Sequence, residues 1–225
     1  MRVAIAGAGA VGRSIAAELL ENHHEVMLIE RDLAAIEPET VEGAEWVNAD
    51  ACELSSLEEA GLPGCDVVIA ATGDDKVNLV VSQLAKMEFA VRRVVARVND
   101  PRNEWLFDES WGVDVAVSTP RMLAAVVEEA VSVGDLVRLM TLRQGQANLV
   151  EVTLPEATPL AGHPVRDLRL PPDAALVVIL RGGRVIVPQA DDPLEGLDEL
   201  LFVASADVEA EIREALNRDL GAPPR

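Results

Sequence analysis

The sequence predicts an α/β fold, with a doubly wound parallel sheet followed by a small α+β domain. Three observations carry this prediction. Short apolar runs alternate with amphipathic helical patterns as far as residue 117, which is typical of βαβ units with right-handed crossovers. A glycine-rich turn follows the first apolar run. From about residue 135 the apolar runs are paired around glycines, which indicates hairpins.

The first element is a strand, because Arg2–Ala6 is almost wholly apolar and reads as buried on both faces. A helical pattern reaches Asn22, and a second strand, Val26–Ile29, ends in Glu30. Between the first strand and the helix lies a glycine-rich run consisting of Gly7, Ala8, Gly9, Ala10, Val11 and Gly12.

This order of strand, glycine turn, helix, strand and acid is typical of a Rossmann-like nucleotide-binding unit. Gly7 allows a tight turn, Gly9 lets the backbone approach a pyrophosphate, and Gly12 lets the helix pack closely on the strand. The helix N-terminus offers free N–H groups to phosphates, and Glu30 is placed to accept hydrogen bonds from ribose hydroxyls. Glu30 favours NAD(H) or an adenosine nucleotide over NADP(H), and Arg31 beside it weakens that preference. The alternative is a glycine turn that serves packing alone.

Four further strands and two helices continue the alternation. The strands are predicted at 46–49, 66–71, 93–98 and 113–117, and the helices at 54–60 and 77–85. Ligands of such sheets bind at the carboxyl ends of the strands. The candidate binding residues that fall at this edge are Gly7 to Gly12, Glu30, Asp50, Ala51, Thr72, Gly73 and Arg97.

Charged residues at this edge have two readings. Arg97 closes an apolar strand, so its guanidinium either contacts a phosphate or diphosphate or pairs with Asp74, Asp75 or Asp100. The adjacent acids Asp74 and Asp75 are predicted to be solvated in a turn and not to hold a metal. Cys52 and Cys65 are predicted to be buried small hydrophobic residues.

A helix is predicted after the sixth strand, with Thr119 as its cap and Pro120 in its first turn. Its apolar stripe ends at Val131, before Gly134. The stripe has to be buried against something new, and both domain packing and dimerisation are open.

The remaining chain is predicted to form a small α+β domain. Paired strands are expected at 136–142 and 148–154 around Gly145, with a short helix at 163–168. A hairpin at 175–187 turns at Gly182 and Gly183, and a last strand at 199–204 precedes a helix at 207–216. The predicted domains are therefore 1–118, a linker helix at 119–134, and 135–220.

Composition excludes several classes of protein. The 225 residues carry 19 Lys and Arg against 39 Asp and Glu, a net charge of −20, and only 3% are aromatic. This charge repels phosphate backbones and few rings are available to stack on bases, so nucleic acid is excluded as a partner. No apolar run is long enough for a membrane span, and no signal-peptide pattern is present, so a cytoplasmic protein is expected.

The pattern of titratable residues argues against an enzyme. His23 and His24 are predicted at the C-terminal cap of the first helix, and no catalytic constellation surrounds either of them or His163. A bound nucleotide would then be a signal and not a reagent. A small NAD-dependent oxidoreductase is the alternative, and a redox-sensing transcription regulator fails on charge.

The chain resembles the TrkA-type family of RCK (regulator of potassium conductance) proteins. The resemblance is carried by 2–12, 26–32, 71–79 and 96–101, together with the tail at 159–204. It implies six parallel strands, a crossover helix at 119–131 that pairs two subunits, and a small C-terminal domain. It also implies NAD(H) or ATP/ADP as ligand, with contacts from Gly7 to Val11, Glu30, Thr72, Gly73 and Arg97 and with Asp50 and Ala51 near the adenine.

The same resemblance implies a ring of subunits at the inner face of the plasma membrane, beneath a Trk-type potassium transporter. Since an acidic chain is not attracted to anionic lipid, its place there would come from docking to that transporter. The sequence departs from the family at Ala10, where some relatives are basic, at Arg121, where many are acidic, and at His23, where glycine is usual. Many relatives hold two such units in tandem, so this chain would self-associate or pair with a sister chain.

Overall fold

A computed structural model describes residues 1–142 and 147–219; for Glu129 and residues 217–219 it describes the backbone alone. The chain divides into two compact units, residues 1–121 and the described residues from Met122 onward. The predicted linker helix begins in the first unit and continues into the second. The predicted turn around Gly145 and the predicted domain end at residue 220 lie outside the described residues.

The first unit is built on a six-stranded parallel sheet of order β3-β2-β1-β4-β5-β6. This confirms the predicted doubly wound sheet, with strand bounds that differ from the sequence prediction by at most two residues. The strands are β1 (Arg2–Ala6), β2 (Glu25–Glu30), β3 (Glu45–Asn48), β4 (Val67–Ala70), β5 (Arg93–Val98) and β6 (Val115–Ser118). The helices are α1 (Ala10–Glu21), α2 (Leu54–Glu59) and α3 (Asp75–Met87), and α4 (Thr119–Val131) begins in this unit and continues into the second.

Strand β1 shows why the central strands are almost continuously apolar. Ala4 and Ala6 belong to one core cluster, and Val3 and Ile5 belong to another. Since successive side chains of a strand point to opposite faces, both faces of the sheet are covered. A strand in that position has no solvent face, which is why the sequence shows no polar alternation there.

The end of α1 has an unusual backbone. Asn22 is its C-terminal cap, and the next residue, His23, has a φ of 62°. This is the left-handed region, which glycine occupies without cost and histidine does not. The prediction that His23 lies at the C-terminal cap of the first helix is confirmed.

The second unit contains a five-stranded sheet of order β10-β9-β11-β8-β7, antiparallel at every pairing. Its strands are β7 (Val137–Leu142), β8 (Ala147–Thr153), β9 (Ala174–Arg181), β10 (Arg184–Ile186) and β11 (Glu199–Ala204), and its helix is α5 (Glu209–Asp219). The last strand thus lies between β8 and β9. Phe202 and Leu200 on β11 are fully buried and form the centre of the core.

Two local predictions in this unit need correction. The helix expected at 163–168 is a single 3₁₀ turn, Val165–Asp167, since the residues on either side have extended backbones. The closing helix begins at Glu209 and not at Asp207, because a 3₁₀ turn at Ala206–Val208 precedes it. The predicted hairpin turn is confirmed, with φ of 54° at Gly182 and 77° at Gly183, as a type I′ turn requires.

Helix α4 presents its apolar stripe to solvent. Leu123 is 65% exposed, Val127 54% and Val131 77%. None of the helices in the described ranges combines the length and the apolar character needed to cross a lipid bilayer.

Candidate functional site

A cavity of about 700 Å³ lies at the carboxyl edge of the first sheet. It sits where the strand order changes direction, between β1 and β4, the usual ligand position in such sheets. Of the predicted site residues, all but Ala8 and Gly12 line it. The lining comprises Gly7, Gly9, Ala10, Val11, Ile29, Glu30, Arg31, Ala49, Asp50, Ala51, Ala71, Thr72, Gly73, Asp74, Val77 and Arg97.

Glycine occupies three positions of the first turn for three different physical reasons. Gly7 has a φ of +102°, and a Cβ there would lie 2.9 Å from the Thr72 Cα. A Cβ on Gly12 would lie 1.9 Å from the Gly7 carbonyl oxygen, so this glycine lets α1 pack against the turn. Gly9 has an ordinary φ of −70° and nothing within 4 Å of an added Cβ. A side chain at Gly9 would therefore enter only the cavity.

Gly73 shows the same property on the opposite side of the cavity. An added Cβ would meet nothing within 4 Å. Neither backbone strain nor packing calls for glycine at Gly9 or Gly73, so the two residues keep open space where a ligand can approach the backbone.

The start of α1 is suited to an anion. Its N-cap is Gly9, which offers no side-chain hydrogen bond, and the first turn contains no acidic residue. The free N–H groups and the positive end of the helix dipole therefore face the cavity with no carboxylate from the first turn of the helix beside them.

The Glu30 carboxylate is held rigidly at the end of β2. Oε2 accepts a hydrogen bond from the Ala8 N–H at 2.9 Å, and Oε1 accepts one from the Asp32 N–H at 3.0 Å. Each oxygen retains further acceptor capacity. The side chain is thus positioned in advance for hydroxyl donors in the cavity.

Asp50 and Arg31 form the neighbouring part of the wall. The Arg31 Nη1 lies 3.8 Å from the Asp50 Oδ2, and the Arg31 side chain is 78% exposed. Asp50 also accepts the Cys52 N–H at 2.9 Å. Cys52 is only half-buried, which corrects its predicted burial, whereas Cys65 is buried as predicted.

Among the described residues, Arg97 does not form the alternative ion pair with Asp74, Asp75 or Asp100. Its Nε is buried and has no hydrogen-bond partner among the described residues, and the side chain lines the cavity. The Asp100 carboxylate is engaged by Arg102, whose side-chain hydrogen bonds hold the pKa of Asp100 down to about 2. A guanidinium left in this state is a ready donor to an anion.

Of the two adjacent acids, Asp74 is exposed as predicted, and Asp75 is not. Asp74 caps α3 by accepting the Lys76 N–H at 2.8 Å, and Asp75 is buried instead of solvated. Asp75 accepts hydrogen bonds from Asn99, Asp100 and Asn103. Burial raises the pKa of Asp75, but these hydrogen bonds outweigh it and hold the pKa below its usual value.

Sequence reasoning missed Asn78, which is completely buried on α3. Its amide bonds to Thr72 and to the carbonyl of Arg97, two residues of the cavity wall. A signal was present, because Asn78 and Ser82 are polar residues at helical spacing with the buried Val81 and Ala85. A polar side chain on the buried face of a helix requires a hydrogen-bond partner in the folded protein.

The parallel sheet and the cavity at its carboxyl edge define a Rossmann-type nucleotide-binding domain. A small antiparallel domain follows it, and this is the architecture of RCK regulatory proteins. The chain belongs to the TrkA family. Residues 3–119 match the TrkA-N domain and residues 149–217 match the TrkA-C domain.

Similarity to known proteins covers nearly the whole chain. The chain is 66% identical to the Trk system potassium uptake protein TrkA of Mycobacterium tuberculosis over 96% of its own length and 98% of the relative. The structure of the GsuK channel bound to NAD superposes with a TM-score of 0.71 at 18% identity, over all of this chain and 40% of the channel chain. GsuK bound to ADP gives a TM-score of 0.51 at 26% identity, over 57% of this chain and 33% of the other.

Members of this family regulate and do not catalyse, so the chain is a regulatory protein and not an enzyme. The prediction of a non-catalytic role is confirmed. The alternative of a small NAD-dependent oxidoreductase is wrong.

Proposed function

We propose that the chain is a nucleotide-sensing regulatory subunit that gates a membrane potassium transporter of the Trk type. One observation carries the proposal. The cavity between β1 and β4 combines the uncapped start of α1, the anchored Glu30 carboxylate and the Arg97 guanidinium, whose buried Nε has no hydrogen-bond partner among the described residues. These three groups match phosphate, ribose and a second phosphate or diphosphate.

The proposed binding mode follows from the positions of these groups. The adenine lies near Asp50 and Ala51, and its ribose hydroxyls donate to Glu30. The phosphates lie on the turn from Gly7 to Val11 and on the start of α1. Thr72, Gly73 and Arg97 receive the part of the ligand beyond the first phosphate.

Two ligands fit this arrangement, NAD(H) and ATP/ADP. The structural neighbours include one protein bound to NAD and the same protein bound to ADP. Glu30 disfavours a 2′-phosphate, so NADP(H) is not proposed. Ala10 supplies no cation for a terminal phosphate, which favours NAD(H) or ADP over ATP.

Gating would operate through differential affinity. A ligand that binds one arrangement of the subunits better than another shifts the population toward the first, whereas equal affinity shifts nothing. The proposed partner is the membrane subunit of a potassium uptake system, since the relative of M. tuberculosis is named as a Trk system potassium uptake protein. The chain would then be cytoplasmic and peripheral at the inner face of the plasma membrane.

Calorimetric titration of the purified chain with NADH, NAD, ADP and ATP tests the proposal. We expect at least one to bind below millimolar concentration. Glu30→Ala should lower the affinity for the nucleotide by about ten- to a hundredfold, because hydrogen bonds to a charged group contribute roughly 1.5–3 kcal/mol. Glu25→Ala, at the opposite end of β2, is the matched control and should bind as the parent does. Millimolar or weaker binding of all four nucleotides would remove the proposal.

The exposed stripe of α4 is the proposed surface for self-association, with a sister RCK chain as the alternative occupant. Replacing both Leu123 and Val127, one helical turn apart, with glutamate should lower the association constant by at least about a hundredfold. The change places charge where burial of each apolar side chain contributes about 1.5–3 kcal/mol. Mass measured by light scattering across a concentration series reports the effect.

The control for this change is Met87→Glu, on an equally exposed apolar residue of α3. It should leave the mass of the assembly unchanged. A parent chain that is monomeric at all concentrations would contradict self-association.

A further inference from the structure

The side chain of Asn78 uses both ends of its amide on the cavity wall. Its Oδ1 accepts hydrogen bonds from the Thr72 N–H at 2.9 Å and from the Thr72 hydroxyl at 2.6 Å. Its Nδ2 donates to the carbonyl of Thr72 at 3.2 Å and to the carbonyl of Arg97 at 2.9 Å. One buried side chain on α3 therefore ties together the carboxyl ends of β4 and β5.

A second layer supports the same segment from behind. The Asn99 Nδ2 donates to the Thr72 carbonyl at 3.0 Å and to the Asp75 Oδ1 at 3.0 Å. The other Asp75 oxygen accepts the Asn103 Nδ2 at 2.8 Å. The wall formed by Thr72, Gly73 and Arg97 is thus held by side chains that do not themselves enter the cavity.

The choice of asparagine is not explained by packing. Asn78 is fully buried on a helix face that it shares with Val81 and Ala85, where an apolar side chain would stabilise the core without a polar group to satisfy. All of its side-chain hydrogen bonds run to Thr72 and Arg97. The hydrogen bonds of the asparagine side chain therefore serve to fix the positions of Thr72 and Arg97.

Different hydrogen bonds hold the opposite wall. Glu30 is anchored by the Ala8 and Asp32 N–H groups, and among the described residues no hydrogen bond connects it to Asn78. Loss of the Asn78 amide therefore removes hydrogen bonds from the Thr72 and Arg97 side of the cavity and leaves those of Glu30 in place.

We propose that Asn78 is a positioning residue that sets the affinity for the part of a nucleotide beyond its first phosphate, by holding Thr72, Gly73 and Arg97 in place. The inference rests on the proposed nucleotide-binding function. It assigns the recognition of a diphosphate or a second nucleoside to the β4–β5 wall, and the recognition of an adenosine monophosphate to the β1–β2 wall.

The experiment compares AMP, ADP and NAD binding to the full chain by calorimetry. Asn78→Ala should lower the affinity for ADP and NAD at least tenfold and the affinity for AMP less than threefold. The ratio of NAD to AMP affinity is the decisive quantity, because a general loss of stability would lower both affinities together. Ser82→Ala is the matched control, since Ser82 is equally buried on the next turn and its hydroxyl donates to the Asn78 backbone carbonyl and not to the cavity wall. Its ratio should equal that of the parent.

A second variant covers the case in which Asn78→Ala does not fold. Asn78→Asp keeps the shape and the acceptor but cannot donate to the Thr72 and Arg97 carbonyls, and the same fall in the ratio is expected. An unchanged ratio in a folded variant would overturn the proposal. Failure of both variants to fold would also overturn it, because Asn78 would then serve the fold alone. Failure of the parent to bind any of the three nucleotides would instead overturn the proposed function.

Discussion

The Gly12→Ala variant should lose about 3 kcal/mol of folding free energy and all measurable nucleotide binding. Alanine is the better helix former by about 1 kcal/mol, so propensity alone predicts the opposite sign. The contact decides between them, because an added Cβ would lie 1.9 Å from the Gly7 oxygen and 3.1 Å from the Gly7 carbonyl carbon. These are backbone atoms, so relief requires that α1 move away from the turn.

Thermal and urea unfolding measure the loss of stability, and calorimetry measures nucleotide binding. Gly9→Ala is the matched control in the same turn, since an added Cβ there meets nothing within 4 Å. It should keep the stability of the parent. A Gly12→Ala chain as stable as the parent would show that α1 does not pack on the turn as described.

The Arg181→Met variant should destabilise the second unit by about 3 kcal/mol. Asp198 is completely buried, and Arg181 is its bidentate partner, with Nε to Oδ1 at 2.6 Å and Nη2 to Oδ2 at 2.8 Å. Removal of the guanidinium leaves a buried carboxylate with the Glu195 N–H as its remaining donor. Because the Arg181 side chain is 27% exposed, we expect the lower end of the range for a broken buried pair.

Arg166→Met provides the comparison within the same unit. Arg166 pairs with Asp191 at the surface, where both side chains are more than half exposed, so its loss should cost less than about 1 kcal/mol. Equal effects of the two substitutions on urea unfolding would contradict the special role of the Asp198 pair.

The features that were predictable from the sequence are those encoded within a few residues. The turn from Gly7 to Gly12 and the acid at Glu30 lie in one βαβ unit, and Gly7 and Gly12 have the predicted local reasons, a tight turn and close packing of the helix. The hairpin around Gly182 and Gly183 was predictable for the same reason.

The features that were missed depend on partners distant in the chain. Asp75 was predicted to be solvated, but it is buried and accepts hydrogen bonds from Asn99, Asp100 and Asn103. These donors lie more than 20 residues away in the chain, so the local sequence around Asp75 does not reveal them. The position of β11 between β8 and β9 likewise depends on pairing across the second unit. The predicted alternative of an ion pair for Arg97 could be set aside only when the partners of the neighbouring acids were known.

The close approach of Gly7 to Thr72 bears on how the domain folds. Parallel pairing of β1 with β4 joins Val3 to Val67, so the cavity forms only after a loop of more than 60 residues has closed. Such long-range pairing is slow compared with helix formation. A ligand of the cavity therefore binds no partly folded form that lacks this pairing. At a hundred times its dissociation constant it would add about 2.7 kcal/mol to the stability of the assembled domain, so the cellular concentration of that ligand would also set how long the chain survives proteolysis.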